Sequence, residues 1–223
     1  FVEGIVEQGF RVVRFDNRDS GLSSKMALAG KPHLPLAYVK NLIGWPLKTS
    51  YTLDDMADDA LGLLTALRIT QAHVIGVSMG GMIAQVMAAR APQQVLSLTS
   101  IMSSSGRRGL PGPTRAARNA LLQRPKRNAS RAELMAHMAA TVRVIGSPAY
   151  PVSERLLYQR IEAALERGSC PEGVARQMVA IAASGERTAL LPSISCPALV
   201  IHGAADPLIP VACGIDTAAL IPG

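Results

Sequence analysis

One short segment, Gly76-Val77-Ser78-Met79-Gly80-Gly81, carries residues at a spacing that suits nucleophilic chemistry. It fits the pattern G-x-S-x-G and stands between a short apolar run and a helix of small residues. A serine on so sharp a turn adopts a strained backbone conformation, and glycine neighbours let chain segments approach closely. The pattern therefore predicts a reactive hydroxyl on Ser78. The alternative is a structural glycine-rich turn.

A second segment, Leu199 to Pro210, places Asp206 just beyond the end of an apolar run. An acid there is well placed to orient a catalytic histidine. The order of serine before acid along the chain is the one expected for the G-x-S-x-G motif. We therefore predict Ser78 and Asp206 as catalytic residues. The backbone N–H of Met79 is the predicted donor to an oxyanion. The alternative for Asp206 is an acid that caps a loop.

The elements around these residues follow from periodicity. Short apolar runs predict four strands, at Arg11–Phe15, His73–Val77, Val95–Met102 and Pro197–Gly203. Unbroken apolar strands separated by amphipathic helices predict an α/β fold, a mostly parallel sheet with helices on both faces. Thr52 is a predicted cap for the helix that begins at Leu53. Residues 22–50 are predicted to form a loop because prolines interrupt them at positions 32, 35 and 46.

The chain divides into three predicted parts. Residues 1–102 form the first part of the core with the serine motif, and residues 196–223 return to the core with the acid loop. Between them, residues 103–195 are predominantly helical, with patterns at 131–143, 152–167 and 171–184. A helical insertion between two strands of a parallel sheet is most simply a cap over the strand ends, where such sheets bind ligands.

These segments, together with Phe15-Asp16-Asn17-Arg18-Asp19-Ser20-Gly21-Leu22-Ser23, carry a family resemblance. The sequence resembles the α/β-hydrolase fold serine hydrolases, and among them the capped esterase- and lipase-like proteins related to aclacinomycin methylesterase and to cofactor-free haloperoxidases. The resemblance implies hydrolysis of carboxylic esters through an acyl-enzyme. Asp19 stands where many relatives have glycine, although the methylesterase-like members resemble this sequence there. We interpret residues 16–23 as a scaffold turn.

The resemblance also implies a histidine that follows the acid, beyond a further strand. The chain has four histidines, and none follows Asp206; they are His33, His73, His137 and His202. His202 is interpreted as structural, and His73 as a partner of a loop or of solvent. His33 and His137 would reach the cleft only by unusual geometry.

The ends of the chain point the same way. The first residue is not Met, and the strand and oxyanion loop that precede the first helix in relatives are absent. We expect a chain cut short at both ends, with the catalytic histidine outside it and little activity of its own. A natural non-catalytic homologue is the weaker explanation.

The net charge of +7 belongs to one segment. Residues 107–131 contain no acid and eight basic side chains, and the rest of the chain has 15 basic and 16 acidic residues. The eight are Arg107, Arg108, Arg115, Arg118, Arg124, Lys126, Arg127 and Arg131. With only 4% aromatic residues, no platform for stacking bases is expected, so nucleic acid is not a predicted partner. The segment either steers anionic substrates or is a solvated helix face.

The remaining composition fits a globular domain, with 48% apolar and 17% charged residues. No apolar run reaches the roughly 18 residues of a membrane span, and no secretory signal is visible. Three cysteines without a C-x-x-C pair favour reduced thiols and a cytoplasmic location; they are Cys170, Cys196 and Cys213. No metal-ligand cluster appears, so no metal or cofactor is predicted, and the expected partner is a small-molecule ester or related acyl substrate.

Three functions stay open at this point. The first is a carboxylic ester hydrolase. The second keeps the fold and the triad but hydrolyses C–C bonds or acts as a cofactor-free perhydrolase or haloperoxidase. The third is a non-catalytic protein that binds a ligand through its cap. Dehalogenase and epoxide-hydrolase chemistry is disfavoured, because those relatives place an aspartate at the position of Ser78.

Overall fold

The computed structural model describes residues 2–123, 125–126 and 128–222, and within them three parallel strands form one sheet. The strands lie in the order β1-β2-β3, and their bounds are Ala72–Val77, Val95–Ile101 and Ala198–Ile201. Val77 pairs with Ile101, and Ile101 pairs with Ile201, so all three strands end at the same edge of the sheet. The predicted parallel α/β architecture and three of the four predicted strands are confirmed.

Helices surround the sheet. The described α-helices are α1 Val2–Glu7, α2 Leu34–Leu42, α3 Leu53–Ala66, α4 Met79–Arg90, α5 Arg115–Leu122, α6 Arg131–Ile145, α7 Glu154–Arg167, α8 Pro171–Ser184 and α9 Val211–Leu220. Single 3₁₀ turns lie at Ala27–Ala29 and Leu191–Ser193. Helix α4 packs on β1 and β2, α3 packs on α4, and α9 packs on β3. The motif serine therefore lies at the junction of the central helix and the sheet.

The capping prediction for α3 is confirmed in detail. The Thr52 hydroxyl accepts a hydrogen bond from the Asp55 N–H, and the Asp55 carboxylate accepts one from the Thr52 N–H. This capping box satisfies amides that the first turn of a helix leaves unpaired. Behind it, Leu53 and Met56 are fully buried in the main apolar core, which also contains most of α4.

The predicted strand over Arg11–Phe15 is wrong. Just before this stretch, Phe10 contacts the ring of His73 in β1 edge-on, with ring centroids 5.9 Å apart. Within the described residues, however, no backbone group of residues 11–15 pairs with another backbone group. Val13 and Phe15 stay 37% and 47% exposed. A short apolar run can indicate an extended chain, but a strand also needs a neighbour with which to form a ladder.

The predicted loop over residues 22–50 is wrong in part, because it contains α2. Helix α2 begins at Leu34, and Pro35 occupies its first turn. Proline is tolerated there because the amide that it lacks has no intrahelical acceptor. The His33 ring accepts a hydrogen bond from the Leu36 N–H across 3.3 Å and so helps to satisfy that turn.

Between β2 and β3 the described residues form helices α5 to α8 and no strand, as the sequence predicts. This stretch has a small apolar cluster of its own, in which Ala139, Leu157 and Ile161 are buried. The cluster joins α6 to α7 and is separate from the main core. The bounds of α6 to α8 agree with the predicted helical patterns to within two residues at each end.

The turn at residues 16–23 is tied to α8 by a buried ion pair. Two nitrogens of Arg176 each donate to an Asp19 oxygen across 2.8 Å, and both side chains are almost fully buried. Asp19 also accepts from the Tyr51 hydroxyl and the Met26 N–H, both at 2.8 Å. These contacts agree with the interpretation of the turn as scaffold.

We expect Asp19→Asn to lower the free energy of unfolding at pH 7 by about 3 kcal/mol, because it leaves a buried guanidinium without its counter-charge. Asparagine tolerates the positive φ of 69° at this position. Urea titrations of both proteins measure the effect. Asp59→Asn is the control, since its partner Arg18 lies in a more exposed pair, and it should cost less than about 1 kcal/mol.

This stability difference should depend on pH. The hydrogen bonds from Arg176 hold the pKa of Asp19 well below its ordinary value of 3.8. The unfolded chain therefore binds this proton first as the pH falls, and the stabilisation is lost in acid. The difference between the two proteins should be constant above about pH 5 and shrink below it. A difference that grows in acid would contradict this account.

Candidate functional site

Ser78 occupies a sharp turn between β1 and α4. Its φ of 55° and ψ of −120° lie outside the regions that side chains other than glycine normally adopt. Its N–H donates to the Ile101 carbonyl across 2.8 Å, so the turn is anchored to β2. Ser78 is also the residue before the first turn of α4, yet its hydroxyl makes no capping bond. The side chain is therefore displayed at the strand end and is not used by the helix.

Two glycines make this turn possible. A Cβ on Gly76 would collide with the Gly80 carbonyl, and a Cβ on Gly81 would lie 2.7 Å from the Ser103 Cβ. By contrast, a Cβ on Gly80 would meet nothing within 4 Å. The packing therefore explains two of the motif's glycines by close approach, of the strand to the helix and of the helix to the loop after β2.

Met79 is the first residue of α4, and its amide belongs to the group of helix N-terminal amides that lack an intrahelical acceptor. Such amides, at the positive end of the helix dipole, are suited to hold a developing negative charge. Met79 follows Ser78 directly, so its N–H lies next to the hydroxyl. The local geometry suits the predicted oxyanion donor.

Asp206 lies in a turn five residues after the end of β3. Its Oδ1 accepts hydrogen bonds from the Leu208 and Ile209 N–H groups, at 2.8 and 2.9 Å. Its Oδ2 lies 3.7 Å from the Nε2 of His202, and the side chain is 9% exposed. One carboxylate oxygen thus anchors the turn, and the other is left without a short hydrogen bond to a described residue.

His202 takes a structural position. Its Nε2 lies 2.7 Å from the Ile209 carbonyl oxygen. Because a carbonyl only accepts, Nε2 carries the hydrogen, and the ring closes the turn that holds Asp206. Its Nδ1 is buried without a hydrogen-bond partner among the described residues, close to Gly214, where a Cβ would collide with it.

The other histidines are not at Asp206. His73 bonds to the Ser97 hydroxyl across 2.7 Å, and His33 contacts the first turn of α2. His137 lies in α6. The geometry of the described residues therefore offers Asp206 no histidine other than His202, which the Ile209 carbonyl already engages.

Sheet topology brings the two predicted catalytic residues to one edge. Ser78 follows Val77 and Asp206 follows β3, and the ends of these strands are in register through Ile101. With neighbouring strands roughly 4.8 Å apart, the ends of β1 and β3 are separated by roughly 10 Å. Ser78 directly follows one of these ends, and Asp206 lies in the turn that follows the other. In open parallel sheets, ligands bind outside the carboxyl ends of the strands, which is the edge that carries Ser78.

The sequence analysis missed the residues that support the turn. The Ser103 hydroxyl donates to the Ser78 carbonyl across 2.9 Å, and Gln85 and Arg187 lie buried behind it. The signal available was the run Ser103-Ser104-Ser105-Gly106 directly after β2. No sequence pattern around Gln85 or Arg187 predicts that the fold brings these two residues into contact.

Three of the six basic side chains that the structure describes in segment 107–131 form ion pairs. Arg107 pairs with Asp216 at 2.7 Å, Lys126 with Glu133 at 3.1 Å, and Arg131 lies 3.7 Å from Glu162. Arg124 and Arg127 lie outside the described residues. These pairs favour a solvated helix face over a concentrated anion-binding surface.

Two further searches cover the described part of the chain. No helix there combines the length and the apolar character that crossing a bilayer requires. No three histidine, cysteine, aspartate or glutamate side chains in the same residues are grouped so that they could hold a metal ion.

Comparison with known proteins agrees with this architecture. Residues 1–223 match the family described as alpha/beta hydrolase fold. The chain is 27% identical over 241 residues to rhodomycin D methylesterase DauP of Streptomyces sp. (strain C5), covering 100% of this chain and 74% of the relative. It is 30% identical over 176 residues to a 2-hydroxy-6-oxononadienedioate/2-hydroxy-6-oxononatrienedioate hydrolase of Pseudomonas sp, covering 77% and 59%.

Solved structures are similar too. A hydrolase from Pseudomonas aeruginosa superposes with a TM-score of 0.63 at 26% identity. The match covers 99% of this chain and 71% of that one. The similarity therefore extends over the sheet and over the helices between β2 and β3.

The glycines of the motif provide a direct test of the turn. We expect Gly81→Ala to lower the free energy of unfolding by about 1–3 kcal/mol, because its Cβ meets the Ser103 side chain. Gly80→Ala is the matched control, one residue away in open space on the same helix. It should be neutral or stabilising by up to about 1 kcal/mol. Urea titration measures both, and equal losses would contradict the close approach described here.

Proposed function

The chain belongs to the family of the alpha/beta hydrolase fold, and from that premise we propose that it is a serine hydrolase of carboxylic esters that works through an acyl-enzyme. One observation carries the proposal. Ser78, a residue other than glycine, is held at a φ of 55° between a parallel strand and a helix N-terminus, with its hydroxyl free of capping. Strained backbone conformations cluster at active sites, which supports a functional role for this turn.

The roles follow from position. Ser78 Oγ attacks the acyl carbon while its proton passes to an imidazole base, and the carbonyl oxygen becomes an oxyanion. The Met79 N–H donates to that oxyanion. The leaving alcohol takes the proton from the imidazolium, and a water molecule then releases the acid and restores Ser78. Asp206 Oδ2 orients the imidazole and stabilises its charged form.

The imidazole in this proposal is not His202. Its Nε2 hydrogen is donated to the Ile209 carbonyl, and its Nδ1 is buried. The base is instead a histidine that enters between the ends of β1 and β3, beside Asp206 Oδ2. In keeping with the sequence analysis, we place that residue outside these 223 residues.

We further propose that residues 103–195 act as a cap over the strand ends. Helices α5 to α8 leave the sheet after β2 and return before β3, and the ends of these strands lie at the edge that carries Ser78. A helical layer there would exclude water and select the acyl and alcohol groups. The parts before and after the cap, residues 1–102 and 196–223, form the hydrolase core.

The substrate class is a small-molecule ester. The methylesterase named above supports this choice, because the match covers all of this chain and 74% of the methylesterase. The three thiols, at Cys170, Cys196 and Cys213, are free, and a cytoplasmic location belongs to the same proposal.

A fluorophosphonate probe tests the nucleophile. In the gene product that contains these 223 residues, we expect the probe to add its phosphonyl group to Ser78, because activated serine hydroxyls attack phosphorus. Mass spectrometry of the peptide that contains Ser78 measures the adduct, and Ser78→Ala should abolish it. The assignment would be refuted if the wild-type protein were not labelled at all, or if its label lay on a peptide other than the one that contains Ser78.

Asp206→Asn tests the acid. Asparagine keeps an oxygen for the Leu208 and Ile209 amides but removes the negative charge, so we expect an intact fold and a fall in kcat of about 10⁴-fold on p-nitrophenyl acetate. Asp59→Asn, at a carboxylate that pairs with Arg18 in the scaffold, should leave kcat unchanged. Equal activity of the two variants would contradict the role of Asp206.

C–C bond hydrolysis is the second candidate, because the Pseudomonas relative that the chain matches at 30% identity is named for a hydrolase of a dienedioate. The same Ser78 and Asp206 would serve it. Side-by-side assays separate the two reactions: p-nitrophenyl esters for the first, a 2-hydroxy-6-oxo-dienoate for the second. Peroxide plus bromide in a third assay tests perhydrolase chemistry. We expect the ester rate to be at least about 10-fold above the others.

A further inference from the structure

Arg187 is a buried cation without a carboxylate partner among the described residues. Its side chain donates to three neutral oxygens, Gln85 Oε1 at 3.1 Å, the Gly185 carbonyl at 3.2 Å and the Ser104 carbonyl at 2.7 Å. Burial lowers its pKa to about 10, so it stays charged at neutral pH. An arginine at 5% exposure is costly to hold in this way, which calls for a reason.

The bonds from Arg187 lead toward Ser78. Gln85 lies in α4 and donates to the Ser100 hydroxyl on β2 across 3.2 Å, and both side chains are fully buried. The Arg187 N–H also donates to the Ser105 carbonyl across 2.8 Å. The loop Ser103–Ser105 is thus held from one side by a guanidinium and by the backbone of the same residue.

The same loop grips the peptide group after Ser78. The Ser103 hydroxyl donates to the Ser78 carbonyl across 2.9 Å, and that oxygen also accepts from the Gly81 N–H at 2.9 Å. A trans peptide is planar, so the Ser78 C=O and the Met79 N–H point in fixed opposite directions. Whatever fixes the Ser78 carbonyl therefore fixes the aim of the Met79 N–H.

We propose that Ser103 and Arg187 are positioning residues for the Met79 oxyanion donor: Ser103 holds the Ser78 carbonyl, and Arg187 holds the loop that presents Ser103. The inference rests on the proposed function of Ser78 and Met79. It assigns neither residue a contact with substrate.

The arrangement also links the two ends of the helical segment. Ser103–Ser105 begins that segment, and Gly185 and Arg187 follow its last helix, α8. The two ends touch, since a Cβ on Gly106 would lie 2.6 Å from the Gly185 carbonyl. A displacement of α8 would therefore move Arg187 and, through the loop Ser103–Ser105, change the orientation of the Ser78–Met79 peptide.

Amide exchange tests the positioning without any need for turnover. In Ser103→Ala and in Arg187→Lys, we expect the amides of residues 79–82 to exchange at least about 10-fold faster by nuclear magnetic resonance, with the Met79 amide shifted. Ile161→Ala is the control, because it destabilises the separate apolar cluster of α6 and α7. If Ser103→Ala and Ile161→Ala change these amides equally, or neither does, the proposal is wrong.

Kinetics of the gene product add a second readout. Ser103→Ala should lower kcat on p-nitrophenyl acetate about 10-fold with KM within twofold, because the donor acts on the transition state. The inhibition constant of benzeneboronic acid, which forms a tetrahedral adduct on serine, should rise by the same factor. A matching loss of stability with unchanged kcat would overturn the positioning role. Absence of wild-type labelling at Ser78, with altered exchange in the variants, would instead refute the proposed function and with it the catalytic meaning of the positioning.

Discussion

The backbone conformation of Ser78 is the constraint on which the rest of the site depends. A φ of 55° for a residue with a side chain costs about 1–3 kcal/mol, and the surrounding structure must supply it. Three features supply it. The Ser78 N–H donates to the Ile101 carbonyl, the missing side chains of Gly76 and Gly81 allow close backbone packing, and α4 packs on two parallel strands. The turn also places Ser78 at the edge of the sheet where β3 ends, five residues before Asp206.

Much of this architecture can be predicted from the sequence because it rests on local rules. Apolar runs of four to eight residues predict β1, β2 and β3, and a threonine before two aspartates predicts the start of α3. The serine motif is recognised from its glycines, of which the packing requires Gly76 and Gly81 but not Gly80. Asp206 is recognised from its place after a strand. Their catalytic roles stay predictions, since the geometry alone does not test them.

What the sequence could not predict depends on partners distant in the chain. Residues 11–15 have the apolar content of a strand but form no ladder with a neighbouring strand, and Pro35 is predicted to interrupt structure although it lies in the first turn of a helix. The pairing of Asp19 with Arg176 spans 157 positions, and that of Arg187 with Gln85 spans 102. Neither charge pattern nor periodicity predicts these pairs, because the two residues of each pair are brought together only when whole helices and loops pack.

The separate apolar cluster between α6 and α7 has a consequence for how such a protein can change. Ala139, Leu157 and Ile161 pack with one another and not with the sheet, so a substitution among them disturbs the helical layer first. The layer meets the hydrolase core chiefly through its two ends and α8. The helical layer and the turn that holds Ser78 are therefore built from largely different residues, and substitutions can accumulate in the first while the second stays intact.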